Sequence, residues 1–133
     1  MKVERRVFGN GLEGLVAEGL MQQLSQFRDW DAVEAEVVRI VSMSIQPFAT
    51  DTVSNTRDLI AICRLKCPVP AAVQKGYWST VSLSWSQFEI EVFEDRLEVY
   101  HFFDRNTDIW DEYHVPGKPF SQRFLRELPI LPP

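Results

Sequence analysis

The sequence predicts an α+β fold in which N-terminal helices pack on a C-terminal antiparallel β-meander. Up to residue 67, apolar residues recur at three- and four-residue steps, which is the period of a helix buried along one face. From residue 77 to 115 the period changes to two, as in strands with one buried face. The chain has 133 residues, 45% of them hydrophobic, which is the size and composition of one domain with its own core. We therefore predict a single domain over 1–133, with a mainly helical part (1–67), an antiparallel sheet (77–115), and a short helix and Pro-rich tail (116–133).

Two or three helices are predicted in the first part. Asn10 and Glu13 match a capping box, and the apolar stripe behind them runs to Phe27. Asp31 is the predicted cap of the second helix, which ends before Pro47. The β-branched stretch 37–45 also fits a strand, but the Ala and Glu residues before it favour a helix.

The third helix is predicted to begin at Thr52 or Ser54 and to end before Pro68. Leu59, Ile60 and Cys63 form its apolar stripe, and the residues at 67–70 are interpreted as an extended linker.

Four short strands with turn-sized gaps predict the meander. One side of the sheet should be buried under the helices. The residues predicted on that side are Val81, Leu83, Trp85, Phe88, Ile90, Val92, Leu97 and Val99. After Pro116-Gly117, a short helix is predicted between residues 120 and 128.

The net charge of −5 argues against binding to nucleic acid or to an anionic membrane surface, both of which favour clustered Lys and Arg. No apolar run is long enough to span a bilayer, and the charged N-terminus does not match a signal peptide. The two cysteines, Cys63 and Cys67, are interpreted as buried free thiols, which suits a cytoplasmic protein. A zinc site that combines them with His101 and His114 is the alternative, but it lacks the short paired spacing of zinc ligands. No cofactor is predicted.

Acidic residues are concentrated in the predicted sheet. Residues 86–115 contain nine acids and two bases, a local balance of 2 − 9 = −7. Glu89, Glu91 and Glu98 should share one sheet face because strand side chains alternate. Such a face would suit a basic protein partner; the alternative is a solvated face that keeps the sheet soluble and blocks edge pairing.

The chain has four tryptophans, and two of them are candidate interface anchors. Trp78 and Trp110 lie at strand ends or on a polar face, where a large aromatic side chain could anchor a partner. Trp85 alternates with Leu83 and Val81 and is predicted to lie in the core.

The order of several segments resembles that of a loosely defined set of uncharacterised small bacterial proteins, some encoded near toxin–antitoxin genes or on mobile elements. The segments that carry the resemblance are Trp30-Asp31, Pro47, the Ser/Thr-capped helix, Cys67-Pro68-Val69-Pro70, Ser82-Leu83-Ser84-Trp85, Phe88-Glu89-Ile90-Glu91-Val92 and Leu97-Glu98-Val99-Tyr100. The match covers about residues 30–103. It implies a small bacterial or phage accessory protein, and no catalytic residues can be carried over because none is established for the set.

These observations predict a non-catalytic protein-binding accessory module, of an antitoxin-, immunity- or inhibitor-like kind, that uses the acidic face with Trp78 or Trp110. The alternative is a small-ligand binder or enzyme that uses His101 or His114 with nearby carboxylates. Homodimerisation through an exposed strand edge is a third hypothesis.

Overall fold

A computed structural model of the chain describes residues 27–130. The order of its elements is α1 (Trp30–Met43), α2 (Thr50–Lys66), β1 (Ala72–Lys75), β2 (Val81–Ser84), β3 (Phe88–Val92), β4 (Arg96–Phe102), β5 (Thr107–Tyr113) and α3 (Gln122–Glu127). The α+β class, with helices before an antiparallel sheet and a short helix after it, is therefore confirmed. The helix predicted from Asn10 lies outside the described residues, apart from its last residue, Phe27.

Helix α1 confirms the helical interpretation of residues 37–43. Its buried residues are Trp30, Val33, Val37 and Ile40, at three- and four-residue steps. The cap is Asp29 and not Asp31 as predicted: the Asp29 carboxylate accepts a hydrogen bond of 2.9 Å from the backbone N–H of Ala32. The chain becomes extended at Ser44, three residues before Pro47.

Helix α2 begins at Thr50, two residues before the earlier of its two predicted caps, and carries no side-chain cap. It ends at Lys66 because Pro68 disfavours helical backbone at Cys67. The carbonyl oxygen of Cys67 accepts a hydrogen bond of 3.2 Å from the Trp30 indole, which ties the end of α2 to the start of α1.

The sheet has five strands in the order β1-β2-β3-β4-β5, all antiparallel, and not the four strands predicted. The additional strand is β1, which pairs with β2 from Ala72 opposite Ser84 to Lys75 opposite Val81. The sequence predicts no strand over these four residues, which follow the predicted linker at 67–70 and precede the change of period at residue 77. These residues form a strand because they pair with β2, and a four-residue sequence pattern does not reveal such pairing.

The apolar face of the sheet carries the core. Buried residues on this face of β2, β3 and β4 join buried residues of all three helices in one cluster. The cluster includes Val33 of α1, Leu59 of α2 and Phe124 of α3, each with at most 1% of its surface exposed. Trp85, predicted to be in the core, lies just beyond β2 and packs against the cluster while partly buried.

No helix within residues 27–130 combines the length and apolar character that crossing a membrane would require.

Truncation of the core should be costly at the sheet's centre. Leu83 is fully buried, so Leu83→Ala should lower the free energy of unfolding by about 2–5 kcal/mol, through lost burial and the cavity left behind. Leu65→Ala removes the same atoms from an exposed position on α2 and should change it by less than about 0.5 kcal/mol. Urea unfolding followed by circular dichroism measures both, and equal losses would contradict this account of the core.

Candidate functional site

The two glutamates of β3 are inside the protein. Glu89 and Glu91 are 1% and 2% exposed, so they do not form the exposed acidic face, partner-binding or solvated, that the sequence predicts. The Ser82 hydroxyl donates to Glu89 at 2.5 Å, and the Thr80 hydroxyl donates to Glu91. Strand β3 is the middle strand of five, and all its residues are buried. Alternation correctly separates the two faces, but it does not reveal that both are covered at the centre.

Glu91 also fixes the connection between β1 and β2. A side chain at Gly76 would collide with the Thr80 hydroxyl and the Glu91 carboxylate, so this position has room only for glycine. The backbone N–H of Gly76 donates to the carbonyl oxygen of Thr80 at 2.8 Å. The three residues between them therefore form a short, closed loop, in which Ser79 has a left-handed φ of 59°.

This loop, residues 77–79, projects two aromatic side chains. Tyr77 is 82% exposed and Trp78 is 72% exposed. Their rings pack edge to face, with centroids 4.6 Å apart. Trp78 was a predicted binding residue and stands at the surface. Tyr77 was missed, although its position directly after Gly76 places it in the same loop.

A groove of about 660 Å³ lies beside Trp78. Its walls come from the α1–α2 connection, the start of α2, the 77–79 loop and the β3–β4 turn. The lining residues are Gln46, Pro47, Ala49, Thr52, Trp78, Ser79, Thr80, Phe93, Glu94 and Arg96. The groove therefore gathers segments that are far apart in the sequence around one exposed aromatic side chain.

The β3–β4 turn places charge at the rim of this groove. The Arg96 guanidinium stacks 4.0 Å from the centre of the Phe93 ring and bonds to Asp95 at 2.8 Å and Glu98 at 3.0 Å. Burial works against the charge of Arg96, but these two carboxylates outweigh it and raise its pKa. Asp95 and Glu98 offset the positive charge of Arg96. The exposed Glu94 has no such compensation from Arg96, so this rim of the groove is acidic.

Glu98, the third predicted acidic contact, is mostly covered. Its carboxylate accepts from Arg96 and, at 2.8 Å, from the Tyr100 hydroxyl, and 18% of its side chain is exposed. It therefore offers a partner only a small polar edge.

Trp110, the second predicted anchor, packs under α3 instead of standing at the surface. Its indole N–H donates to Glu127 at 2.9 Å, and the Arg123 guanidinium lies 3.9 Å from the centre of its ring. Arg123 also bonds to Glu127 at 3.0 Å. These contacts fasten α3 to the sheet, and Trp110 does not line the groove beside Trp78.

The two histidines lie at opposite ends of β4. His101 packs between the rings of Phe88 and Phe103, with centroid distances of 5.1 and 5.0 Å. His114 is buried, bonds to Asp58 at 2.8 Å and stacks on Phe120. His101 pairs with Asp108, and His114 lies six residues beyond Asp108, so roughly 20 Å separates the histidines along the sheet. They do not converge on one site.

The cysteines are both buried and free. The hydrogen bond that the Cys63 thiol donates to Cys67, together with burial, raises the pKa of Cys63. Within residues 27–130, no three Cys, His, Asp or Glu side chains are grouped as a metal ion would require.

Comparison with known proteins gave no match: no protein-family model, curated protein or solved structure is similar to this chain. The resemblance to small bacterial proteins described above therefore stays a prediction.

The contacts of Glu127 should make stability depend on acid pH. Partial burial disfavours its charge, but hydrogen bonds from Arg123 and Trp110 outweigh this and lower the pKa of Glu127. Because its pKa is lower in the folded state, Glu127 stabilises the fold when the pH is above its unfolded-state pKa of about 4.3. This stabilisation is lost as the pH falls through the folded-state pKa. Glu127→Gln should therefore be less stable than the wild type at pH 7, by less than about 1 kcal/mol, and equal to it near pH 2. Urea unfolding at pH 2–7 measures this, with the exposed Glu94→Gln as the control; parallel curves for wild type and Glu127→Gln would contradict it.

The pair of Asp58 and His114 should act as a structural clasp. Asp58 accepts from the His114 ring and from the backbone N–H of Gly117, each at 2.8 Å. Asp58→Ala should cost about 1–3 kcal/mol, because it leaves the buried His114 ring without this partner. Asp104→Ala, in an exposed turn, should cost less than about 0.5 kcal/mol. Thermal unfolding compares the two, and equal stabilities would show that the clasp contributes little.

Proposed function

We propose that this chain is a non-catalytic protein-binding module whose contact surface is the 77–79 loop and the groove beside it. The observation that carries the proposal is the exposure of Trp78, 72%, on a loop whose ends are held by Gly76 and Thr80. A tryptophan in a closed loop loses little conformational freedom when it is buried by a partner, since its side chain has only two rotatable bonds.

The energetic argument is that of an interface hot spot. Tryptophan and tyrosine dominate the binding energy of many interfaces, where they are buried at the centre and ringed by weaker contacts. Tyr77 and Trp78 form such a pair at the surface, and the adjacent groove offers concave space for a side chain of the partner. The polar walls of the groove, including Gln46 and Glu94, would then form the rim.

The expected partner is a basic protein. The stretch 86–115 has a net charge of −7, and the β3–β4 turn brings Glu94 and Asp95 to the groove end of the sheet. An acidic rim accelerates encounter with a basic surface and disfavours acidic competitors.

An antitoxin-, immunity- or inhibitor-like role fits such a surface, because these accessory proteins act by covering a surface of their partner. The resemblance of residues 30–103 to small bacterial proteins near toxin–antitoxin genes supports this role within the proposal. The buried free thiols of Cys63 and Cys67 suit a reducing compartment such as the cytoplasm.

The test is a comparative capture from a lysate of the native host. Wild type, Trp78→Ala and Leu65→Ala are immobilised at equal density, and bound proteins are identified by mass spectrometry at low and moderate salt. A basic protein should be held by wild type and Leu65→Ala and lost with Trp78→Ala. Its dissociation constant should rise at least about 30-fold with Trp78→Ala, the cost of a hot-spot residue.

The Leu65→Ala control removes an exposed apolar side chain from α2, so it separates a local contact from general surface hydrophobicity. Equal capture by wild type and Trp78→Ala would overturn the assignment of the 77–79 loop. A captured partner that is acidic, or is unaffected by salt, would overturn the electrostatic part of the proposal.

A further inference from the structure

Strand β5 is the last strand of the sheet and is long for an edge. It has seven residues, and among residues 27–130 it pairs with β4 alone over its whole length. Edge strands are often protected from further pairing by proline, by charged side chains (lysine above all) or by a bulge. Strand β5 has no proline or lysine and pairs with β4 without a break in register, and its charged residues are all acidic. It therefore disfavours an acidic strand but can accept a basic one.

The hydrogen-bond pattern identifies which groups of β5 point outward. Just beyond its two ends, the N–H of His114 bonds to the carbonyl oxygen of Asp95, and that of Phe103 bonds to the carbonyl oxygen of Asn106. Pairs that bond and pairs that do not alternate along an antiparallel ladder. The even-numbered residues of β5 therefore bond to β4, and the odd-numbered residues direct their N–H and C=O groups to the open edge.

The same odd-numbered residues also share one face of the sheet. Ile109 and Tyr113 are 53% and 71% exposed, and Asp111 between them has an exposed carboxylate. The opposite face of β5 is occupied, because Trp110 packs under α3 and Glu112 accepts two hydrogen bonds from Ser121. An added strand would therefore place its side chains against Ile109, Asp111 and Tyr113.

The charge of this face selects the added strand. Asp111 pairs across the sheet with Glu98, and Glu98 pairs with Glu91, so three carboxylates lie in one row. The Arg96 guanidinium is 3.0 Å from the Glu98 carboxylate but 3.9 Å from the Asp111 carboxylate, so the negative charge of Asp111 is only weakly compensated. A cation directly opposite Asp111 would be attracted, since facing charges on adjacent strands interact.

A second copy of β5 fits this edge poorly. The strand carries three acids, Asp108, Asp111 and Glu112, and no base. Pairing two copies brings these like charges together, which disfavours the homodimer.

We propose that β5 binds an extended basic segment of a partner protein by strand addition, with an apolar–basic–apolar pattern at alternate residues opposite Ile109, Asp111 and Tyr113. Backbone hydrogen bonds to the odd-numbered residues supply affinity, and the alternate side chains supply specificity. This inference goes beyond the proposed function, because it concerns an edge of the sheet that does not include Trp78 or its groove.

The experiment uses two blocked nine-residue peptides with the full chain. In both peptides valine stands at positions 1, 3, 7 and 9 and threonine at positions 2, 4, 6 and 8. The central position 5 is lysine in one peptide and glutamate in the other. Binding is measured by fluorescence anisotropy, and amide hydrogen exchange of Ile109, Asp111 and Tyr113 by NMR. The lysine peptide should slow exchange at these three amides and bind about fivefold more tightly than the glutamate peptide.

A charge swap makes the test specific. Asp111→Lys should reverse the preference so that the glutamate peptide binds more tightly. Asp104→Lys makes the same change of charge in the exposed turn before β5 and should keep the wild-type order, as should Trp78→Ala. If Trp78→Ala abolished the preference for the lysine peptide while Asp111→Lys kept it, the peptide would bind in the groove beside Trp78. That result would overturn the strand-addition proposal and leave the proposed function intact.

Three further results would overturn it. One is unchanged exchange of the three amides at millimolar lysine peptide. Another is a reversal of peptide preference by Asp104→Lys equal to that by Asp111→Lys, which would reveal a general charge effect. The third is protection of the three amides without peptide that grows with protein concentration, which would identify a second copy as the occupant. Thermal unfolding of each variant confirms that it is folded under the conditions of measurement.

Discussion

The fold depends on the burial of β3 on both of its faces. Phe88, Ile90 and Val92 supply one face of the strand to the hydrophobic core, while Glu89 and Glu91 are almost completely covered on the other. Burying a carboxylate is expensive unless hydrogen bonds replace its lost water. The hydroxyl groups of Ser82 and Thr80 provide such bonds from the neighbouring strand. The register between β2 and β3 is thereby fixed by polar as well as apolar contacts, because a slip by one residue would separate each carboxylate from its hydroxyl group.

Several polar residues that suggest chemistry in the sequence instead hold elements in place. Asp58 and His114 connect α2 to the segment after β5, and Trp110 with Glu127 connects β5 to α3. Because α3 has only six residues, it would be marginal as an isolated helix. Its position is secured by these contacts and by Phe124, which is buried in the core. Asp58, His114, Trp110 and Glu127 are therefore engaged in contacts that hold the tail of the described chain against α2 and the sheet.

The helices and four of the strands could be predicted from the sequence because each has enough residues to display its period. Strand β1 could not, since Ala72–Lys75 is too short to show alternation and is recognisable only from its pairing with β2. The candidate site divides in the same way. Trp78 could be placed at a strand end, outside the apolar pattern, and it is exposed. For Glu89 and Glu91 the alternation indicated the correct face but carried no information on what covers it. Trp110 is a third case, since its indole partner, Glu127, lies 17 residues further along the chain.

The two proposed contact surfaces share one property, which is that the backbone of each is held by hydrogen bonds within the chain. The 77–79 loop is closed by the bond between Gly76 and Thr80 and packed against the Glu91 carboxylate. Strand β5 is held by seven cross-strand pairs to β4 and by α3 on one face. Ordering a flexible segment on binding costs conformational entropy, so surfaces that are already ordered retain more of their contact energy as affinity. A partner that presents a basic extended segment would pay the ordering cost on its own side. The electrostatic attraction of the −7 stretch would then act chiefly on how fast that partner is found and how well wrong partners are excluded.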